Sequence, residues 1–575
     1  MLLHKYLFLL AIGAGKSFCR PTSSSPESSL GSPEVSIKNG TVVGVYNEQY
    51  NQDFFLGIPY AQPPTGNLRF RKPVPLDTKW DGVKDATEYG PFCHGHTLNM
   101  QSFDQPLVSY PMSEDCLTIN VVRPAGIASN ASLPVLVWIY GGGFGEGGSG
   151  DQRYNMSFLV DTSVENHSPM IMVSFNYRLS GWGFLAGSEI EGSGNANAGL
   201  HDQRLALAWI QENIGHFGGD PTRVTIQGES AGAGSVGLHL IAYGGRDDGL
   251  FSAAIAESGG PFGYQGYQSS TSQEEYYNLV LNVTGCSTAN DTLACLRAAP
   301  NEALDEIFGQ RLWYPTLDGT LIPDLNSKLL RDGHFVKVPL LIGANTNEGS
   351  VMVALLSNIG VNSTEGFFKA VEALNNGSPL SNATLQRFDK LYQDIVDLDE
   401  GSLGPVLPNP GFPYGSLYGK TSLVLGDGLF VAGRRFAAQM WAKFGVEAYS
   451  YRFDTVPAAI DPSTLGSAHI QEIAFVFRNT EGVGYQYKPF AVQDAEIRQQ
   501  LLDLAKTMSS AWVSFATTHS PNSQQAGFAE PWPAYSLQAP TNMVFNATTG
   551  SYLEPDTYRS DALDFFIQTA PEFSR

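Results

Sequence analysis

Charge is scarce in this sequence, and positive charge is scarcest. Its 34 Lys and Arg stand against 56 Asp and Glu, and charged residues make up only 16% of the 575 positions. A formal net charge of -22 argues against nucleic acid and anionic membrane surfaces as partners. It does not require a cationic substrate, because solubility outside the cell explains the same number. Long apolar runs are missing too. The run near the start, Tyr6-Leu7-Phe8-Leu9-Leu10-Ala11-Ile12, is too short to span a bilayer. No apolar tail follows Thr569, which speaks against a lipid anchor there. No internal repeat is visible. Cysteine is sparse, with Cys19, Cys93, Cys116, Cys286 and Cys295 only.

What is present at the start fits export. His4 and Lys5 precede the short apolar run, small residues follow it, and a Pro- and Ser-rich stretch comes next. Residues 1–20 read as a signal peptide with cleavage between Ala14 and Arg20, residues 21–34 as a polar arm, and 35–575 as the domain. Cys19 leaves with the signal or sits at its edge. The other four cysteines pair naturally in sequence order, although four allow three connectivities. Glycosylation sequons stand at Asn39, Asn130, Asn155, Asn166, Asn282, Asn290, Asn362, Asn376, Asn382 and Asn546. Together these features predict a secreted glycoprotein without a stable membrane anchor. They leave its oligomeric state open.

Short apolar runs alternate with helical patterns. Phe54–Ile58, Leu117–Val122, Pro134–Tyr140, Met170–Phe175, Val224–Gln227, Ala253–Ala256, Val338–Gly343 and Ala448–Phe453 read as strands. Ala198–Ile214 and Leu501–Thr517 read as helices. Continuous apolar strands between helices mean a sheet covered on both faces, hence an α/β fold with a largely parallel core. Stretches 265–335 and 355–445 read as helical insertions near the site.

One stretch organises the rest. Val224–Gln227 runs into Gly228-Glu229-Ser230-Ala231-Gly232, a G-x-S-x-G pattern, and a helix-compatible segment follows. In a nucleophile elbow the chain turns from strand to helix within about two residues, and the serine hydroxyl is left exposed on a strained bend. A serine needs a base, a group to orient that base, and donors for the oxyanion. His469, after the 448–453 strand, fits as base, with His519 as its competitor. His201 and His239 sit on helical patterns and suit structural roles. His94-Gly95-His96 lacks further ligands at metal-binding spacing, so no metal is expected. Glu348, just past an apolar strand, fits as the acid. Gly141-Gly142-Gly143 can turn bare N–H groups into the site, and the Ala231 N–H adds a third.

Further stretches extend the pattern: Phe55-Leu56-Gly57-Ile58-Pro59-Tyr60-Ala61, Ser113-Glu114-Asp115-Cys116-Leu117, Gly141-Gly142-Gly143-Phe144, Asn176-Tyr177-Arg178-Leu179, Asn197-Ala198-Gly199-Leu200-His201-Asp202-Gln203 and Phe217-Gly218-Gly219-Asp220-Pro221. With these the chain resembles a type-B carboxylesterase/lipase, over about residues 35–535. The resemblance implies an α/β-hydrolase fold and cofactor-free ester hydrolysis through an acyl-enzyme. It implies Ser230 as nucleophile, Glu348 as acid, His469 as base, and Gly142, Gly143 and Ala231 as oxyanion donors. It also implies disulfides Cys93–Cys116 and Cys286–Cys295, a buried Glu229, and an Arg69–Glu114 ion pair. Ile470 departs from the family, where a small residue often follows the histidine. The Cys93–Cys116 flap is short and polar, with Leu98, Met100, Phe103, Leu107 and Val108 as its main apolar residues. That favours soluble or short-to-medium acyl esters, with at most transient contact to a lipid surface. Cholinesterases carry a tryptophan where this flap has Pro106, which disfavours choline esters. A specialised ester of a secondary metabolite or plant polymer, and an inert binding member of the family, are the alternatives.

Overall fold

The computed structural model describes residues 32–98, 109–128, 130–263, 266–355, 361–398, 407 and 413–575. The expected signal peptide, the polar arm up to residue 31, and Met100, Phe103, Pro106, Leu107 and Val108 of the flap lie outside these residues. The main sheet takes eleven strands in chain order. They are β1 (Val45–Asn47), β2 (Gln52–Pro59), β3 (Thr118–Pro124), β4 (Leu133–Ile139), β5 (Ile171–Phe175), β6 (Gly219–Glu229), β7 (Ala253–Glu257), β8 (Leu340–Asn345), β9 (Ala448–Phe453), β10 (Thr541–Phe545) and β11 (Tyr552–Pro555). Their spatial order is β1-β2-β3-β5-β4-β6-β7-β8-β9-β10-β11. From β5 to β10 every neighbouring pair is parallel, and the strands at both edges run antiparallel.

The parallel centre follows from the apolar runs. Val135, Leu136, Val137 and Ile139 of β4 are wholly buried, as are all the residues of β5, so no strand face here meets water. Helix Ala198–Asn213 and helix Ala495–Thr518 cover the faces with Leu200, Ala206, Leu207, Ile210, Met508, Trp512 and Phe515. Each large apolar side chain among them contributes about 1.5–3 kcal/mol of burial. A small separate sheet precedes the main one, Glu34–Ile37 with Gly40–Val43 and Val83–Asp85.

The two stretches expected as insertions are mostly helical; the first packs into the main core, and the second carries an apolar cluster of its own. Phe367, Val371, Leu374, Phe388, Tyr392, Leu425 and Phe430 meet Leu563, Phe566 and Phe573 there. Two bonded cysteine pairs brace the loops: Cys93–Cys116 spans the base of the flap, and Cys286–Cys295 closes a short helical turn. Arg69 and Glu114 form a two-point ion pair, with Nε–Oε2 and Nη2–Oε1 both at 2.6 Å.

Strands β10 and β11 were not evident from the sequence. They are held by charge as much as by apolar contact. Asp556, just past β11, receives Arg434 Nη1 at 2.7 Å, Arg435 Nη2 at 2.8 Å and Tyr535 Oη at 2.8 Å, all in the interior. These two guanidinium groups hold its carboxyl well below the usual range despite burial. Replacing one partner of a buried charge cluster leaves the others uncompensated. Asp556→Ala is therefore expected to lower stability by about 3–5 kcal/mol in denaturant titration, far more than an exposed Asp→Ala change.

Candidate active site

Strand β6 ends at Glu229, and helix Ala231–Gly245 begins one residue later. Ser230 alone makes the turn, at φ 54° and ψ -122°. That conformation is costly for a residue with a Cβ and persists only where its surroundings impose it. The surroundings are tight. A Cβ on Gly232 would sit 2.0 Å from the Ile139 carbonyl oxygen, and one on Gly228 would sit 2.4 Å from the Gly232 carbonyl carbon. The Ser230 N–H donates to the Glu257 carbonyl at 2.9 Å, which pins the bend to β7.

The residues singled out as partners converge on this serine. His469 Nε2 lies 2.9 Å from Ser230 Oγ, and His469 Nδ1 lies 2.7 Å from Glu348 Oε2. Both side chains are buried, and the Phe430 ring stacks on the imidazole at 4.4 Å between centroids. The competitor His519 caps the 495–518 helix and approaches Ser252 instead. His239 bonds Gln203 in the interior. His94 pairs with Asp305 at 3.0 Å, and among the described residues no group of three or more His, Cys, Asp or Glu side chains is arranged to hold a metal ion.

Behind the imidazole stand four buried carboxyl groups, Glu229, Glu257, Glu348 and Glu472. Glu348 has the donors: Ser258 Oγ at 2.6 Å and the Asn345 N–H at 2.7 Å on Oε1, with the imidazole on Oε2. Negative charge belongs there. Burial and the neighbouring carboxyls push Glu229 and Glu257 well above the usual carboxylate range. Burial, then the charge of Glu348, pushes Glu472 up to about 7. Its Oε1 lies 3.1 Å from Ser258 Oγ and its Oε2 2.5 Å from Asn345 Nδ2. A protonated Glu472 can donate to Ser258, which in turn donates to Glu348. Glu229 Oε1 reaches within 3.4 Å of His469 Nε2.

Sequence reasoning passed over Ser258, Glu472 and Phe430. Ser258 carried a usable signal, since it follows β7 directly at the end where a parallel sheet presents its functional groups. Glu472 stands three positions after His469, too ordinary a spacing to notice. Phe430 lies in a helical insertion with no local mark.

Gly142 and Gly143 follow β4 with φ of 90° and 59°. Among the described residues neither N–H has an acceptor, and the Ala231 N–H opens a helix, where no intrahelical partner exists. Two cavities meet here. One of about 430 Å³ is walled by Leu98, Leu312, Met352, Leu374, Leu425, Leu429 and Phe430, with Ser230, Gly143 and His469 at its inner end. The other, about 240 Å³, is bordered by Gly141, Gly142 and Glu229 and carries Glu146, Tyr110, Tyr154 and the buried Asp151–Arg153 pair. This arrangement can take a proton from a hydroxyl, bind an oxyanion, and hold an apolar and a polar group on two sides of the reacting carbon.

The expected glycan acceptors fall into three groups. Asn130, Asn282, Asn290, Asn362 and Asn382 are exposed, and Asn155, Asn376 and Asn546 are half-buried. Asn39 corrects the expectation. It is buried and donates both Nδ2 hydrogens, to the Leu76 and Thr78 carbonyls, so a sugar on that nitrogen would cost one of the two bonds and would have to fit where the side chain is packed. Asn166 is buried as well, at the end of helix Ser157–Glu165.

Comparison with known proteins identifies the family and the fold. The model of the Carboxylesterase family matches residues 31–565. Lipase 2 of Diutina rugosa is 33% identical over 94% of this chain and 97% of its own length. Secreted lipase 1 of Botryotinia fuckeliana is 31% identical over 96% and 94%. The crystal structure of Aspergillus niger EstA superposes with a TM-score of 0.79 at 29% identity, covering 95% of this chain and 99% of that one.

The raised Glu472 has a measurable consequence. Between its unfolded value, near 4.5, and about 7 the folded state holds a proton that the unfolded chain has released. Stability therefore falls as pH rises through that window and levels off above it. Glu229 and Glu257 act in the same direction. Glu472→Gln should remove about one proton from this dependence, or about 1.4 kcal/mol per pH unit, when denaturant titrations at pH 5, 6 and 7 are compared. An unchanged slope would mean that Glu472 is ionised in the fold.

Proposed function

The chain belongs to the carboxylesterase family and is a carboxylic ester hydrolase, and from that premise we propose a secreted serine esterase that works through Ser230, His469 and Glu348. The observation that carries this reading is the hydrogen-bonded chain from Ser230 Oγ through both imidazole nitrogens to Glu348, on a strained strand-to-helix bend. His469 Nε2 takes the Ser230 proton as Oγ attacks the ester carbonyl carbon. The carbonyl oxygen becomes an oxyanion facing the N–H groups of Gly142, Gly143 and Ala231. His469 then gives the proton to the leaving alkoxide, and the carbon–oxygen bond to the alcohol breaks. Water, deprotonated by His469, releases the acid in the second half. Glu348 holds the tautomer and stabilises the imidazolium between steps. With Glu229 and Glu257 pushed well above the usual carboxylate range and Glu472 up to about 7, that cation is not trapped by four full carboxylates.

The cavities favour a substrate class. An apolar acyl chain buries best in the 430 Å³ cavity, and the smaller one, where Phe92, Met112, Trp138 and Ile473 stand beside carboxyl, hydroxyl and guanidinium groups, suits an alcohol with both apolar and polar parts. The reading is a short-to-medium acyl ester of such an alcohol, with the enzyme touching lipid surfaces only in passing. Export is supported by the N-terminal pattern, by the bonded cysteine pairs, and by relatives named as secreted lipases. Among the described residues no helix is long and apolar enough to cross a membrane.

Ser230→Ala should lower kcat by about 10⁶, and activity left at the percent level would point to another nucleophile. A diethyl phosphoryl adduct, sought by mass spectrometry after organophosphate treatment, should fall on Ser230 and nowhere else. Across nitrophenyl esters, kcat/KM should climb about fourfold per added methylene until the cavity is full, and soluble esters should outpace emulsified triglyceride. Glycopeptide mapping of protein secreted from a eukaryotic host should find sugar on exposed acceptors such as Asn282 and Asn382, and none on Asn39.

A further inference from the structure

The wall of the larger cavity contains a flaw in an otherwise continuous helix. Tyr418–Gly426 and Ala432–Lys443 are α-helical, and a single π-turn, Asp427–Val431, joins them. A π-turn inserts one residue and disturbs the usual pairing of main-chain carbonyls. Leu429 and Phe430 belong to this turn, line the cavity, and bring Phe430 onto the His469 ring.

A side chain distant in sequence grips the flaw. The Arg575 guanidinium, 2% exposed, donates from Nη1 to the Gly428 carbonyl and from Nη2 to the Leu374 carbonyl at 3.0 Å. Leu374 is itself a wall residue and ends helix Thr364–Ala373, whose negative pole suits a cation. The Arg575 main-chain oxygen is tied in turn by Ser327 Oγ at 2.7 Å. Among the described residues no carboxylate pairs with this guanidinium, its Nε has no partner, and burial pulls its pKa down. A buried cation held by two carbonyls and the Phe573 ring, 5.6 Å from the guanidinium carbon, is an expensive way to add stability. What it does achieve is geometric: one rigid fork spans two separate segments of the cavity wall.

We propose that Arg575 is a positioning residue for acyl selection, clamping the Gly428 and Leu374 carbonyls so that Leu374, Leu429 and Phe430 stand at a fixed separation. It touches neither substrate nor His469. The inference rests on the larger cavity being the acyl site.

The test compares the full-length wild type with Arg575→Gln and Arg575→Lys on nitrophenyl acetate through laurate. Rates are referred to active sites counted by organophosphate titration, so that loss of folded protein drops out. Acetate, too short to reach Leu374 and Leu429, should lose least in kcat/KM, any loss there reporting the Phe430 contact with His469. The kcat/KM ratio of decanoate to acetate should change by about tenfold in Arg575→Gln, with Arg575→Lys, which keeps the charge but loses the fork, falling between. Profiles parallel to wild type in the variants would overturn the proposal and leave Arg575 a structural residue. Should Arg575→Gln not fold, Arg575→Lys decides on the same criterion. A wild type whose kcat/KM ignores acyl length would remove the cavity assignment, and this proposal with it. A wild type that turns over no ester and takes no phosphoryl label would instead sink the proposed function.

Discussion

Four carboxyl groups crowd the interior behind one imidazole, and a low-dielectric interior tolerates one negative charge among them far better than two. The choice of which one ionises is made by donors. Among the described residues Glu348 has Ser258, the Asn345 N–H and the imidazole, Glu257 has Gln227 and Trp512 on one oxygen, and Glu229 Oε1 has no hydrogen bond. Fixing the charge on Glu348 fixes the Nδ1–H tautomer of His469, which leaves Nε2 free to accept from Ser230. The strained turn at Ser230, the glycines beside it and the bond to the Glu257 carbonyl serve that same alignment. A second ionised carboxylate would compete for the imidazole and loosen it.

The sheet's centre was legible because its cause is local. Pro134–Tyr140 and Met170–Phe175 are apolar throughout, and only a strand covered on both faces needs that. Ser230, Glu348 and His469 were legible because each follows such a strand. Asn39 shows the opposite case: its sequon is a three-residue signal, while its burial depends on carbonyls near residue 77, across a separate sheet. Strands Thr541–Phe545 and Tyr552–Pro555 escaped notice because they are short and half polar. Their stability comes from an aspartate between two arginines more than one hundred residues away. Ser258 could have been read from its place just past β7, but Glu472 only once the imidazole had been placed. Burial and donor count, which decide their protonation, are properties of the assembled interior.

The helical half has a different economy. Its apolar cluster packs apart from the sheet core and faces the site through Leu425, Leu429 and Phe430. The sheet sets the position of the reacting atoms to within hydrogen-bond tolerance, while the insertions shape what can lie beside them. Substitutions in the insertions can thus alter substrate preference while the Ser230–His469 distance stays as it is.

The hydrogen bonds that join the three principal residues close loops of 121 and 239 positions. Such contacts carry a large entropic cost and form late, after local helices and neighbouring strands. On a ribosome, the bonds joining Ser230, His469 and Glu348 cannot form until the segment around residue 469 has emerged, and by then nearly all of the sheet is available to fold. On the proposed mechanism, a nascent or clipped chain ending short of that segment has no hydrolytic competence. Activity is coupled to completion of the fold by the order in which the chain is made.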